Sequence, residues 1–161
     1  MAAADDAKGT VSILEARIEY RFSNPELPRE ALIHTIELPR PDVRSNARLA
    51  FLGDALVKLI VGEALYRQMA DAPQGVLTKE REKYESKEPQ AAAARNLGLD
   101  RLLTNSVGRP LPEDQLLSGS APATVYEAVV AAVYLDGDGG PQAARDFVWR
   151  TLLAKSRATG A

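Results

Sequence analysis

The sequence contains no cysteine and a single histidine, His34, in 161 residues, and these shortages exclude several kinds of site. Disulfides and thiolate metal centres need cysteine, and a multi-histidine metal centre needs more than one imidazole. Any bound metal would therefore need oxygen ligands, which favours Mg²⁺, Mn²⁺ or Ca²⁺.

The sequence also lacks a large excess of charge of either sign, because its net charge at pH 7 is −2. Proteins that hold nucleic acid through bulk electrostatics carry a clear excess of positive charge. Composition alone therefore does not indicate an RNA- or DNA-binding protein, although a local basic patch is compatible with it.

Long uninterrupted apolar runs are missing as well. The longest, residues 49–66, is broken by Asp54, Lys58 and Glu63, so it predicts a buried helix and no membrane span. The N-terminus, MAAADDAKGT, lacks the features of a secretory signal or a mitochondrial targeting segment. We therefore expect an intracellular protein, cytoplasmic or nuclear, or mitochondrial if an N-terminal segment has been removed.

Helical periodicity dominates what is present, and no strand pattern occurs. The pattern predicts helices that begin near Ser12, Pro25, Ser45, Thr78, Ala123 and Pro141, with a break at Pro89 in the fourth. Residues 102–123 are rich in proline and glycine and predict a loop. We predict one all-α domain over residues 11–155, flanked by disordered segments 1–10 and 156–161.

The helix of residues 46–69 is apolar on nearly all sides. Such a helix lies at the centre of a fold or between subunits. It nevertheless contains Asp54, and burying an unpaired carboxylate costs on the order of several kcal/mol. Asp54 therefore needs either an ion-pair partner, such as Arg48 or Lys58 on the same helix, or a metal ion.

Three stretches resemble the catalytic domain of the ribonuclease III family. They read ILEARIEYRFSNPELPREALIHT, NARLAFLGDALVKLIVGEALY and TVYEAVVAAVYLDGDGG, and AAARNLGLDRLL lies between the second and third. The combination of FLGDA on a central helix with YEAVVAAVYLDG downstream is specific. The resemblance covers nearly the whole chain, and within the family it is similar to small stand-alone fungal members.

The resemblance implies the all-α ribonuclease III endonuclease fold and a two-fold homodimer through the helix of residues 49–66. It implies action on double-stranded RNA with Mg²⁺, and neither a membrane nor a small-molecule cofactor. Members of the family hold the metal with four carboxylates. One helix supplies a glutamate and an aspartate four residues apart, and another supplies an aspartate and a glutamate three residues apart.

Carried over residue by residue, each of these pairs has lost its first member. The first pair falls on Ala50 and Asp54, and the second on Thr124 and Glu127. A further family glutamate falls on Ala47. The retained catalytic and metal positions are therefore Asp54 and Glu127, with the Thr124 hydroxyl as a weak neutral ligand for Mg²⁺ or Mn²⁺, if a metal is bound at all.

These substitutions favour a double-stranded-RNA-binding protein whose endonuclease activity is lost or much reduced, in effect a pseudoenzyme. One alternative is an active metal-dependent endonuclease with a rearranged site. Another is a structural protein associated with the ribosome, since catalytically inactive relatives of this fold serve there.

A charged segment before Pro89 offers candidate RNA contacts. Its cations are Lys79, Arg81, Lys83 and Lys87. They alternate with an equal number of glutamates, which favours an ordinary solvated helix face and would weaken attraction to phosphate. His34 is interpreted as an ordinary helix residue and Asp136 as a turn residue.

Overall fold

The computed structural model describes residues 2–34, 44–116 and 119–154, and within these ranges the chain is helical. The helices are α1 (Ala2–Ile18), α2 (Glu26–Leu32), α3 (Asn46–Gln68), α4 (Gln74–Glu85), α5 (Lys87–Leu97), α6 (Glu113–Leu116), α7 (Ala121–Leu135) and α8 (Gly140–Val148). A 3₁₀ turn (Asp100–Leu102) follows α5, and a π-helical turn (Trp149–Leu153) follows α8. The described ranges contain isolated bridges and no strand, which confirms the all-α prediction.

Helix α7 forms the centre of the fold. Its buried residues are mostly alanine and valine, and they occupy almost every position from Ala121 to Val133. Helices α2, α3, α5 and α8 all pack against it. Small side chains on every side of a helix let several neighbours approach it closely, so α7 can be enclosed.

Helices α3 and α7 approach each other closely at Gly53. A Cβ atom on this residue would stand 1.9 Å from the backbone oxygen of Glu127 and 2.4 Å from its carbonyl carbon. Because both atoms belong to the backbone, only glycine fits without moving a helix. Gly53 therefore sets the spacing of the two helices and places the next residue, Asp54, beside Glu127.

The bounds of α3 and the break near Pro89 agree with the prediction, whereas the predicted start of α4 does not. Helix α3 runs from Asn46 to Gln68, close to the predicted range 46–69, and the charged segment divides between α4 and α5 at Ser86, just before Pro89. Helix α4, however, begins at Gln74 and not at Thr78, because Pro73 and not a hydroxyl side chain precedes its first turn. No described helix combines the length and apolar character needed to cross a membrane.

Helix α1 starts earlier than the position near Ser12 that the sequence predicted, while disorder over residues 1–10 stays a prediction. Helix α1 begins at Ala2, in agreement with the high helix propensity of this alanine-rich sequence. Ser12 consequently lies inside the helix and not at its N-terminus, while Glu15 accepts a hydrogen bond from the Phe22 backbone N–H at 2.9 Å. The predicted disordered tail, residues 156–161, lies outside the described residues.

Asp136, at the end of α7, ties the α1–α2 connection to the core. Its buried carboxylate accepts hydrogen bonds from the backbone N–H groups of Ser23 (2.7 Å) and Asn24 (2.8 Å) and from the Tyr20 hydroxyl (2.9 Å). Burial, followed by this hydrogen bond, raises the pKa of Tyr20 to about 12. Asp136 is thus more than a turn residue, because it closes a loop that is more than a hundred residues away in sequence.

Candidate functional site

The structure brings Asp54 and Glu127 together where α3 crosses α7. Asp54 follows Gly53, whose Cα faces the backbone of Glu127. Ala50 lies one turn before Asp54 and is buried, and Thr124 lies one turn before Glu127. All four positions aligned by sequence therefore belong to one site, of which two carry carboxylates.

The Thr124 hydroxyl already has a backbone partner. Its Oγ1 donates a hydrogen bond to the carbonyl oxygen of Ser120 at 2.9 Å, one turn earlier in α7. This is the usual local bond of a threonine in a helix. As a metal ligand Thr124 would contribute only a neutral oxygen lone pair, which is a weak replacement for a carboxylate.

Asp54 forms an ion pair with a lysine of its own helix. The Nζ atom of Lys58 donates a hydrogen bond to Oδ2 of Asp54 at 2.6 Å, with both side chains partly exposed. This bond raises the pKa of Lys58, so the ammonium stays charged throughout the physiological range. Of the two ion-pair partners considered from the sequence, the structure selects Lys58 and not Arg48.

Glu127 is half-buried, and its pKa is raised to about 7. Burial is the largest cause and the negative charge of Asp54 the second, while Lys87 and Lys58 act in the opposite direction. Near neutral pH, such a carboxyl group is protonated in some of the molecules and ionised in the others. The positive charges of Lys87 and Lys58 are therefore too weak to keep the Glu127 carboxyl fully ionised at neutral pH.

The side chains present fit a divalent metal ion poorly. In the described part of the chain, no three Asp, Glu or His side chains converge as a metal-binding group. Of the two carboxylates that do meet, one is bound to an ammonium group and the other is only partly ionised at pH 7. Mg²⁺ needs hard anionic oxygens to replace part of its hydration shell, and this site offers few.

The cations of α4 and the start of α5 are mostly engaged with glutamates. Lys83 pairs with Glu80 at 2.6 Å, and Arg81 pairs with Glu85 at 2.6 Å. Lys87 is the candidate closest to the site, because its charge acts on Glu127. These contacts agree with the interpretation of a solvated, internally paired helix face.

Sequence reasoning missed one residue of the site and undervalued another. Nothing in the sequence distinguishes Gly53, whose role depends on a neighbouring helix, from a glycine such as Gly62, which meets only the Arg81 side chain at 3.7 Å. The spacing of Lys58 from Asp54 did carry a signal, since residues four apart meet on a helix. His34, by contrast, takes no part in the site, and burial lowers its pKa.

Comparison with known proteins identifies similar sequences and structures. The model of the ribonuclease III domain family matches residues 47–138. Ribonuclease 3 of Pseudothermotoga lettingae is 38% identical over 143 residues, covering 83% of this chain and 58% of that protein. Ribonuclease 3 of Brucella melitensis is 37% identical over 156 residues, covering 96% of this chain and 62% of that protein. The chain thus spans about three fifths of the length of these curated relatives.

A solved structure shares the fold. It is the nuclease domain of ribonuclease III from Campylobacter jejuni, described as showing flexibility in a region involved in dimer formation. The TM-score is 0.76 at 28% sequence identity, and the match covers 89% of this chain and 96% of that one.

Proposed function

The chain belongs to the ribonuclease III family, and from that premise we propose that it binds double-stranded RNA with endonuclease activity that is lost or much reduced. The observation that carries the proposal is the composition of the site. Ala50 and Thr124 stand at two of the four aligned positions, and they offer a methyl group and a bonded hydroxyl in place of anions.

The expected loss of rate is large. Metal-assisted phosphodiester hydrolysis needs an ion that polarises the phosphate and activates a water molecule. Removing one well-placed catalytic group commonly costs about 10²- to 10⁴-fold in rate. Two losses in one centre do not add simply, but even one puts cleavage far below that of a complete site.

The test separates binding from cleavage. Binding of a long RNA duplex is measured by fluorescence anisotropy in EDTA, and cleavage of the same duplex is followed on gels in Mg²⁺ and in Mn²⁺. We expect saturable binding and no cleavage above that of the Asp54→Asn variant. Divalent-dependent cutting by the natural chain that Asp54→Asn abolishes would overturn the proposal in favour of a working, rearranged site.

The basic candidates form the RNA-contact part of the proposal. Arg81 and Lys83 are held by glutamates, so Lys79 and Lys87 are the cations we expect to matter more. Reversing both, Lys79→Glu with Lys87→Glu, should weaken duplex binding and reduce its salt dependence. Equal affinity before and after the change would remove this face from the proposal.

The exposed side of α3 supports self-association as a homodimer through residues 49–66. Phe51, Leu59 and Tyr66 are 84%, 59% and 73% exposed, and their spacing places them along one side of the helix. Several large apolar side chains exposed along one side of a helix are typical of a protein interface. Phe51→Asp should convert a dimer into a monomer by light scattering, whereas Val107→Asp, at an apolar position 61% exposed on a loop, should not.

A further inference from the structure

The candidate site contains a cation of its own, and its position is defined by the fold. Lys58 lies one helical turn after Asp54 on α3, and its Nζ atom is 2.6 Å from Oδ2 of that carboxylate. Helix α3 is held against α7 at Gly53, so the ammonium group is carried to the same crossing that joins Asp54 to Glu127.

The charges around Lys58 come from three helices. Asp54 acts on it most strongly, and Glu85 from α4 and Glu127 from α7 add weaker attraction. Lys87 from α5 is the second cation whose charge reaches Glu127. The acids that surround the crossing are thus compensated by ammonium groups of the chain itself.

A divalent ion entering this site would meet two obstacles. It would have to displace the Lys58 ammonium from Oδ2 of Asp54, or share the carboxylate with it at short range. It would also meet repulsion from that positive charge, because two cations a few ångströms apart repel each other. Too few anionic ligands remain to offset these costs.

We infer that Lys58 acts as a built-in counter-ion that takes the place of a divalent metal on Asp54 and disfavours metal binding at the α3–α7 crossing. The inference rests on the proposed assignment of this site, yet it concerns metal affinity and not cleavage. Weak metal binding thus has two causes: two carboxylates are missing from the site, and the Lys58 ammonium group occupies the Asp54 carboxylate that remains.

The test uses Mn²⁺ alone as the probe, with the full chain and no RNA. Binding is measured by the loss of the free Mn²⁺ signal in electron paramagnetic resonance, for the natural chain, Lys58→Met and Lys83→Met. Lys83 is the matched control, since its ion pair with Glu80 is equally short and its loss changes net charge equally. We expect no saturable binding by the natural chain up to about 1 mM, and binding about tenfold tighter for Lys58→Met only.

Two further variants keep the result decisive. Lys58→Gln replaces Lys58→Met if circular dichroism shows that the latter is unfolded, and Asp54→Asn combined with either should abolish the gain. Equal Mn²⁺ affinity of the Lys58 variants and the natural chain, or an equal gain in Lys83→Met, would overturn the inference. The Mn²⁺ experiment contains no RNA, so its result does not depend on cleavage. RNA cleavage by the natural chain, measured in the separate assay, would refute the proposed function but not the effect of Lys58 on Mn²⁺ affinity.

Discussion

The half-buried carboxyl of Glu127 should make the protein less stable as the pH rises towards neutrality. Its pKa is raised from 4.5 to about 7 in the folded chain. Between those two values the unfolded chain releases the proton while the folded chain retains it. The contribution of protonated Glu127 to the free energy of unfolding is therefore fully present below pH 4.5 and is lost as the pH rises from 4.5 through 7.

The size of this effect follows from the shift. Each pKa unit corresponds to about 1.4 kcal/mol, so the full shift sets an upper bound of about 3 kcal/mol. Because Glu127 is only half-buried, solvent screens much of this, and we expect about 1 kcal/mol. Glu127→Gln mimics the protonated acid, so it should stabilise the protein by that amount at pH 8 and change little at pH 4.5.

Urea unfolding in EDTA, followed by circular dichroism at pH 4.5 and pH 8, measures the difference. In a domain of this size 1 kcal/mol corresponds to about 2–4 °C in Tm, which thermal melts resolve. Glu63→Gln is the control with the opposite sign. Arg67 and Arg145 lower the pKa of Glu63, so its loss should not stabilise the protein at pH 8. An equal effect of Glu127→Gln at both pH values would refute the reasoning.

Two structural predictions follow from close contacts. Gly53→Ala should destabilise the protein by about 3 kcal/mol in urea unfolding, because the new methyl group collides with the backbone of Glu127. Gly62→Ala in the same helix should be neutral or stabilise by up to about 1 kcal/mol; a similar loss in both would contradict this interpretation. Asp136→Asn should lower the free energy of unfolding by about 2 kcal/mol, because an amide NH₂ cannot accept the hydrogen bonds that Oδ2 of Asp136 receives from the Ser23 N–H and the Tyr20 hydroxyl. An unchanged Tm would count against this prediction.

The predictable part of this fold is the part governed by local chemistry. The start of α3 follows from a polar residue before an apolar run, and the division between α4 and α5 follows from Pro89, which has no backbone N–H and is therefore accommodated in the first turn of α5. These signals act within one helical turn. The start of α1 differs from the predicted start near Ser12 because the alanine-rich residues before it favour helix.

The unpredictable part depends on residues that meet only in the folded chain. Gly53 cannot be told from Gly62 until α7 is placed against α3, and Asp136 cannot be paired with the α1–α2 connection before both are built. The state of Glu127 has the same origin, since its pKa depends on burial and on Asp54 from another helix. A motif can thus locate a site, whereas its electrostatics require the structure.

The fold and the ligand set of this site are separable. The α3–α7 crossing is maintained by Gly53 and by buried apolar side chains of both helices, none of which carries charge. Four carboxylates at such a crossing would repel one another without a metal, so a complete site gives up stability for function. With Ala50 and Thr124 at two of the aligned positions, and with Asp54 paired to Lys58, that repulsion is smaller, although the charge of Asp54 still raises the pKa of Glu127. We therefore expect the crossing to be preserved whether or not a divalent ion is present.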